Sequence, residues 1–216
     1  DYGFEAIQAG QHPTVSDNFQ NGYQYAGSFI TSQSENDAVA LFIIRILEAT
    51  GFDDHINDTL SAHGVDAKKL QDIMANPNNY IDEVKKNPNV YGPYDSELSA
   101  QNAKYAAARV ELQRADLSDL VEIYHDLREY SGKEIGYFAM DSRLFPFSAT
   151  YQSIFYAPAK LSDRNIDPYT NAPSDFYEIK AITAQGQTKS VQDLTSSDRV
   201  INYVIVYKEA FYDTML

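Results

Sequence analysis

The sequence predicts a mixed α/β protein of the α+β kind, in which a mainly helical N-terminal two-thirds is followed by a strand-containing C-terminal third. Between residues 34 and 132, apolar residues recur at helical spacing between good capping residues. From residue 135 onward, apolar runs rich in β-branched and aromatic residues take over. With 216 residues and a hydrophobic content of 44%, the chain can bury a sizeable core, and we expect a single compact domain.

The helical part is predicted from its start and stop residues. Residues 1–33 lack helical periodicity and are rich in Gly, Asn, Gln and Ser, so we expect loop with short extended pieces. Ser34 is a good N-cap for a largely apolar helix that ends at Gly51. Short helical pieces are predicted between Phe52 and Pro93, among them 67–75, capped by Asp66, and one before Asn87-Pro88. A longer helix is predicted over 96–113. The last helix is capped by Asp116 or Ser118 and ends at Gly132.

Four segments of the last third have strand-like patterns. Residues 135–140 predict a mostly buried strand, and 154–157 are a second apolar segment. Residues 176–182 alternate in a way that suits a strand or a short helix. Residues 200–207 are β-branched and aromatic, which predicts a strand.

Composition excludes several classes of function. A net charge of −14 argues against nucleic-acid binding, because neutralising phosphates requires a basic face. The absence of cysteine excludes a disulfide scaffold, a cysteine-based zinc site and a cysteine nucleophile. The longest apolar run, 38–47, is far shorter than the ~20 residues of a spanning helix. The four histidines are too scattered in sequence to predict a metal site, and we expect no metal ligand in this chain.

Three blocks of residues occur in an order that is typical of one family. They are the opening series Asp1-Tyr2-Gly3, His12-Pro13-Thr14-Val15-Ser16-Asp17-Asn18, Gly22, Gly27 and Ser32-Gln33-Ser34-Glu35; the later Tyr137-Phe138-Ala139-Met140-Asp141-Ser142-Arg143-Leu144-Phe145-Pro146; and the terminal Ala210-Phe211-Tyr212. This order resembles the C-terminal soluble (central core) domain in the catalytic subunit of archaeal oligosaccharyltransferases. In that family a Trp-Trp-Asp-Tyr-Gly signature follows the last membrane helix. The resemblance covers most of 1–216 and is thinnest over 52–94, a candidate variable insertion.

The resemblance implies an activity for a longer parent protein. The parent would be a glycosyltransferase that moves a lipid-linked oligosaccharide to the Asn of Asn-X-Ser/Thr in an acceptor polypeptide. Its transmembrane part and the two tryptophans would precede position 1, and the domain would lie on the extracellular face of the cell membrane. The resemblance places the catalytic residues and a divalent cation, Mg or Mn, in the membrane portion, so no catalytic residue is expected here and the isolated chain is expected to be inactive.

The resemblance also implies which residues bind the acceptor. The family's signature binds the hydroxyl of the acceptor Ser or Thr, a role that falls on Asp1, Tyr2 and Gly3. A carboxylate suits this role because it accepts a strong charge-assisted hydrogen bond from a hydroxyl. For the second pocket motif, Asp141 matches the family's Asp. Thr150 stands where the family has Lys, and Ile154 would pack against the acceptor's Thr methyl or be an ordinary core residue.

Other interpretations of the chain remain open. A noncatalytic extracytoplasmic module that binds carbohydrate or protein would suit the 17 tyrosines, since flat aromatic faces stack on sugar rings. A soluble hydrolase ranks last, because the sequence contains no recognisable acid/base constellation. Asp53-Asp54-His55 is either a helix start or a cation-attracting cluster. Asn57-Asp58-Thr59 is the single glycosylation sequon of the chain.

Overall fold

A computed structural model describes residues 13–15, 22–30, 32–91, 98–136 and 177–209, and it has the mixed α/β architecture that the sequence predicts. In the described residues, helices precede a three-stranded antiparallel sheet. The helices are α1 Tyr23–Ile30, α2 Glu35–Thr50, α3 Asp54–Ala62, α4 Ala67–Ala75, α5 Ile81–Lys86, α6 Pro88–Tyr91, α7 Ala100–Leu112 and α8 Leu117–Ser131. Short 3-10 turns cover Pro77–Tyr80 and Val191–Asp193, and the strands are β1 Tyr177–Thr183, β2 Thr188–Ser190 and β3 Val200–Tyr207.

Helix α2 forms the centre of the helical part, with the two ends that the sequence predicts. The Ser34 hydroxyl accepts a 3.2 Å hydrogen bond from the Asp37 amide, and Gly51 ends the helix with φ 80°. Apolar residues cover most of the helix circumference, so α2 can be buried on several sides. It packs against α1, α7 and α8. Its buried residues are Ala38, Ala40, Leu41, Ile43, Ile44, Ile46 and Leu47.

The prediction of loop for residues 1–33 is wrong over α1. This helix is only eight residues long, and tertiary packing rather than intrinsic propensity stabilises it. Tyr25 is buried and lies edge-on to the ring of Tyr105 in α7, at 6.0 Å between centroids. Phe29 stacks on Phe42 of α2 at 5.2 Å. The remaining residues of 1–33 lie outside the described part, apart from 13–15, 22 and 32–33.

The segment 52–91 is part of the same helical core. Asp53 and Asp66 cap α3 and α4 by accepting from the amides of Ile56 and Lys69. The predicted Asp66 cap and the short helix before Asn87-Pro88 are therefore confirmed, whereas the sequence did not name Asp53 as a cap. The segment contributes the buried residues Ile56, Leu60, Val65, Leu70, Ile73 and Val84 to the core that α2, α7 and α8 share. Its variability among relatives stays a prediction, but its packing role is shown.

Helix α8 begins and ends at the predicted positions, but α7 begins at Ala100, four residues after the predicted start at 96. Ser99 caps α7 and Asp116, rather than Ser118, caps α8. Gly132 ends α8 in the left-handed conformation, with φ 65°. The predicted strand 135–140 does not begin at Ile135: its amide donates to the Tyr124 hydroxyl at 3.2 Å and its side chain packs on the helical core. Residues 137–140 and the apolar segment 154–157 lie outside the described part.

The sheet has the order β2-β1-β3, with both pairs antiparallel. Ala181 in the central strand faces Lys189 on one side and Tyr203 on the other. The strand alternative for 176–182 and the strand 200–207 are thereby confirmed. The short β2 was not predicted. A turn at 184–187, with Gly186 at φ 76°, reverses the chain before it.

Candidate functional site

The residues predicted to bind the acceptor lie outside the described part of the structure. Asp1, Tyr2 and Gly3 precede the first described residue, and Asp141, Thr150 and Ile154 fall within 137–176. Their roles therefore stay predictions. Three other polar groups, which the sequence did not single out as binding sites, are brought together by the fold.

The first group is a buried ion network where α1, α2 and α7 meet. Glu48 of α2 has one carboxylate oxygen bonded to the Lys104 ammonium and to the Tyr105 hydroxyl. Its other oxygen accepts from Arg45 at 3.0 Å. The side chains of Glu48 and Lys104 are only 13% and 11% exposed. A mostly buried pair of this kind is favourable only when further hydrogen bonds satisfy it, and Tyr105 and Arg45 provide them.

Tyr25 borders this network without joining it. Its side chain is 4% exposed, and its hydroxyl has no hydrogen-bond partner among the described residues. Burial raises the pKa of the Tyr25 phenol well above its ordinary value, and burial also raises the pKa of the Tyr105 phenol. Both phenols are therefore neutral at physiological pH. The network contains no nucleophile paired with a base, and its bonds join α2 to α7, so its geometry supports the packing of these two helices rather than catalysis.

The second group centres on Glu111 of α7, whose side chain is 2% exposed. Its carboxylate lies 3.3 Å from the Lys69 ammonium and 3.0 Å from Arg114 Nε. It also accepts from the backbone amide of Asp66 at 3.3 Å. Because all of these partners are donors, the buried charge is compensated, and the group ties the start of α4 to α7.

The third group joins His63, at the end of α3, to Asp119 and Glu122 on the first turns of α8. His63 Nδ1 lies 2.8 Å from Asp119 Oδ1, and His63 Nε2 lies 3.9 Å from Glu122 Oε2. One ligand atom from each residue lies within 4.8 Å of the others, a spacing that a metal ion can bridge. The direct hydrogen bond between His63 and Asp119 already accounts for the arrangement as a link between the two helices.

This third group could not be found by spacing alone. Asp119 and Glu122 are three residues apart and share a helix face, which the sequence does show. His63 is 56 residues from Asp119, and only the packing of α3 against α8 brings it there. The expectation that the four histidines build no metal site rested on their scatter in sequence. For His63 that reasoning did not anticipate the contact.

The sequon Asn57-Asp58-Thr59 lies inside α3. The Asn57 backbone N–H donates to the Asp53 backbone carbonyl at 2.9 Å, so the tripeptide takes part in the regular hydrogen bonding of the helix. Thr59 is 8% exposed, and Asn57 Oδ1 is buried without a hydrogen-bond partner among the described residues. Asp53 accepts from the Ile56 amide, which supports the helix-start interpretation of Asp53-Asp54-His55. The same carboxylate accepts from the Tyr130 hydroxyl at 2.7 Å.

Comparisons with family models, curated proteins and solved structures gave no match to this chain. Within the described residues, no helix combines the length and the apolar character that crossing a bilayer requires. The family resemblance of the motif blocks therefore stands on the sequence alone.

Proposed function

We propose that this chain is the acceptor-binding domain of an oligosaccharyltransferase, which transfers a lipid-linked oligosaccharide to the Asn of Asn-X-Ser/Thr. The observation that carries the proposal is the order of the three motif blocks, from Asp1-Tyr2-Gly3 through Tyr137–Pro146 to Ala210-Phe211-Tyr212. Each block alone is short enough to recur by chance. Their succession along one chain is the supporting feature.

The proposed recognition chemistry is selective for a hydroxyl. The Asp1 carboxylate accepts a hydrogen bond from the acceptor Ser or Thr, and Tyr2 and Gly3 complete that segment of the signature. A site of this kind rejects peptides that lack the hydroxyl, because its own polar groups would be left unpaired. Asp141 and Thr150 contribute to the second pocket, and Ile154 packs against the methyl group of an acceptor Thr.

The chemical step belongs to the membrane part of the longer protein in this proposal. That part holds the divalent cation, Mg or Mn, which polarises the reacting groups when bound. His63, Asp119 and Glu122, whose ligand atoms lie within 4.8 Å of one another, take no part in the proposed transfer. The present chain binds and orients the acceptor polypeptide on the extracellular face of the membrane.

The proposal is tested in the full-length parent by the substitution Asp1→Ala. Loss of a charge-assisted hydrogen bond should lower kcat/KM for an Asn-X-Thr peptide at least about tenfold. If the bond forms equally in the ground and transition states, KM should rise while kcat stays unchanged. Asp82→Ala is the matched control, since the Asp82 side chain is 80% exposed and its ion pair with Lys86 lies at the surface of α5. Unchanged transfer by the Asp1 variant would contradict the proposal.

The alternative of a noncatalytic binding module is favoured by one surface feature. Tyr130 is 51% exposed, stacks on His55 at 4.1 Å and donates to Asp53, so an aromatic ring and a carboxylate lie side by side. This combination suits sugar recognition. The sequence encoded upstream of Asp1 separates the two functions. Trp-Trp after a series of hydrophobic segments supports the transferase, whereas a secretion signal supports the module.

A further inference from the structure

We propose that Asn57 is a glycosylation acceptor only while α3 is unfolded, so that the native fold of this chain protects its own sequon. The tripeptide Asn57-Asp58-Thr59 satisfies the sequence requirement for modification. The fold does not meet the geometric requirement, which is that the Asn carboxamide and the Thr hydroxyl be accessible to the transferase at the same time. The inference does not depend on the proposed function, because it concerns the chain as a substrate of any transferase that recognises Asn-X-Ser/Thr.

Transfer to a sequon needs two groups of the acceptor at once. The carboxamide nitrogen of Asn forms the new bond to C1 of the sugar, while the bond from C1 to the lipid phosphate oxygen breaks. The nitrogen loses a proton to a base of the transferase, and the lipid phosphate leaves with the electron pair of the broken bond. The hydroxyl of the residue two positions later must be held in the same complex for the tripeptide to be recognised.

An α-helix separates these two groups. Successive residues are rotated by about 100°, so positions i and i+2 point in nearly opposite directions. In an extended segment the same two residues share a face. One pocket can therefore bind the Asn side-chain carboxamide and the Ser or Thr hydroxyl of an extended tripeptide, but not those of a helical one.

The structure shows that α3 holds this tripeptide firmly. The Asn57 backbone N–H donates a hydrogen bond to the Asp53 backbone carbonyl, and the Asp53 side chain caps the helix. Thr59 is only 8% exposed, so its side chain is turned into the protein. The flanking residues Ile56 and Leu60 are 2% and 0% exposed. Making the tripeptide extended would pull both of these apolar side chains out of the core.

A comparison of sequons within one folded molecule tests the inference. Gly186 lies in the exposed turn 184–187 at φ 76°, a conformation that Asn tolerates, and Gly186→Asn creates an Asn-Gln-Thr sequon there. The folded variant is incubated with a purified oligosaccharyltransferase and a lipid-linked glycan, and site occupancy is measured by mass spectrometry. We expect occupancy at Asn57 to be at least tenfold lower than at the turn.

A synthetic peptide covering residues 52–64 is the second reference. It should be modified at least tenfold faster at Asn57 than the folded protein, even if the turn sequon proves to be a poor acceptor. Leu60→Ala, checked for residual folding by circular dichroism, should raise occupancy at Asn57 because it loosens α3. Equal modification of folded protein and peptide would overturn protection by the fold. A peptide that is not modified at all would overturn the claim that Asn57 is an acceptor.

Discussion

At the junction of α1, α2 and α7, two neighbouring tyrosines have opposite hydrogen-bonding states. The Tyr105 hydroxyl donates to Glu48 and accepts from Gln101 at 2.8 Å. The Tyr25 hydroxyl is equally buried but has no partner among the described residues. An unsatisfied buried polar group costs about 1–3 kcal/mol, whereas a satisfied one stabilises the fold modestly.

The two tyrosines therefore make a matched pair of substitutions. Tyr25→Phe removes an unpaired hydroxyl and should leave the free energy of unfolding unchanged or raise it by about 1 kcal/mol. Tyr105→Phe removes two hydrogen bonds, one of them to a carboxylate, and should lower it by about 1–2 kcal/mol. Urea denaturation of both variants measures the difference. A loss of about 1 kcal/mol or more for Tyr25→Phe would mean that its hydroxyl has a partner beyond the described residues.

At the scale of elements, helix ends depend on local residues, and Gly132 illustrates this. It ends α8 at φ 65°, and its amide donates to the Arg128 carbonyl at 2.9 Å. A side chain at this φ is strained although no atom lies within 4 Å of an added Cβ. We expect Gly132→Ala to lower the free energy of unfolding by about 1 kcal/mol.

Gly136 is the control for this substitution, because its φ is not positive and an added Cβ would make only ordinary contacts with the Glu134 side chain, the nearest at 3.5 Å. Gly136→Ala should change the free energy of unfolding by less than about 0.5 kcal/mol. Thermal and urea unfolding of the two variants compare them directly. Equal effects would show that the backbone conformation at Gly132 is not what α8 requires there.

The loop before β3 contains a carboxylate with a strongly lowered pKa. Asp198 accepts from the Lys189 ammonium at 2.7 Å, and from the amide and the hydroxyl of Thr195 at 2.8 Å each. Chiefly through the Lys189 bond, these contacts lower the pKa of Asp198 from 3.8 to about 2. A lowered pKa in the folded state contributes stability above pH 3.8, and this contribution is lost as pH falls to about 2.

An NMR titration of the Asp198 carboxyl carbon measures this pKa. The midpoint should lie near pH 2 in the unaltered chain and should move upward in Lys189→Met, which removes the largest cause of the shift. Asp198→Asn should abolish the titration and should make the stability of the loop less dependent on pH between pH 4 and pH 2. A midpoint near 3.8 in the unaltered chain would show that the loop does not hold Asp198 as described.

For the whole molecule, the helical part was largely predictable because its signals are local. Ser34, Asp66 and Asp116 cap helices through the backbone amide three residues ahead; the sequence identified the first two and gave Asp116 as one of two candidates. Helix α1 was not predictable, because Gly27 and Ser28 weaken its intrinsic propensity and its packing depends on contacts of Tyr25 and Phe29 with other helices. The strand predicted over 135–140 does not include residues 135 and 136 for a similar reason. The Ile135 backbone amide donates to the Tyr124 hydroxyl, a tertiary contact that the alternating pattern does not reveal.

By itself, the sequence determined the fold class, the capped helices, the strand 200–207 and the family resemblance on which the proposed function rests. Tertiary structure alone decided that His63 meets Asp119 and Glu122, that Lys104 neutralises Glu48, and that the sequon at Asn57 lies within a packed helix. The physical reason is the distance along the sequence over which each kind of interaction acts. A cap or an alternating pattern acts over a few neighbouring residues, whereas these contacts join residues at least 56 positions apart or depend on the burial of a helix face.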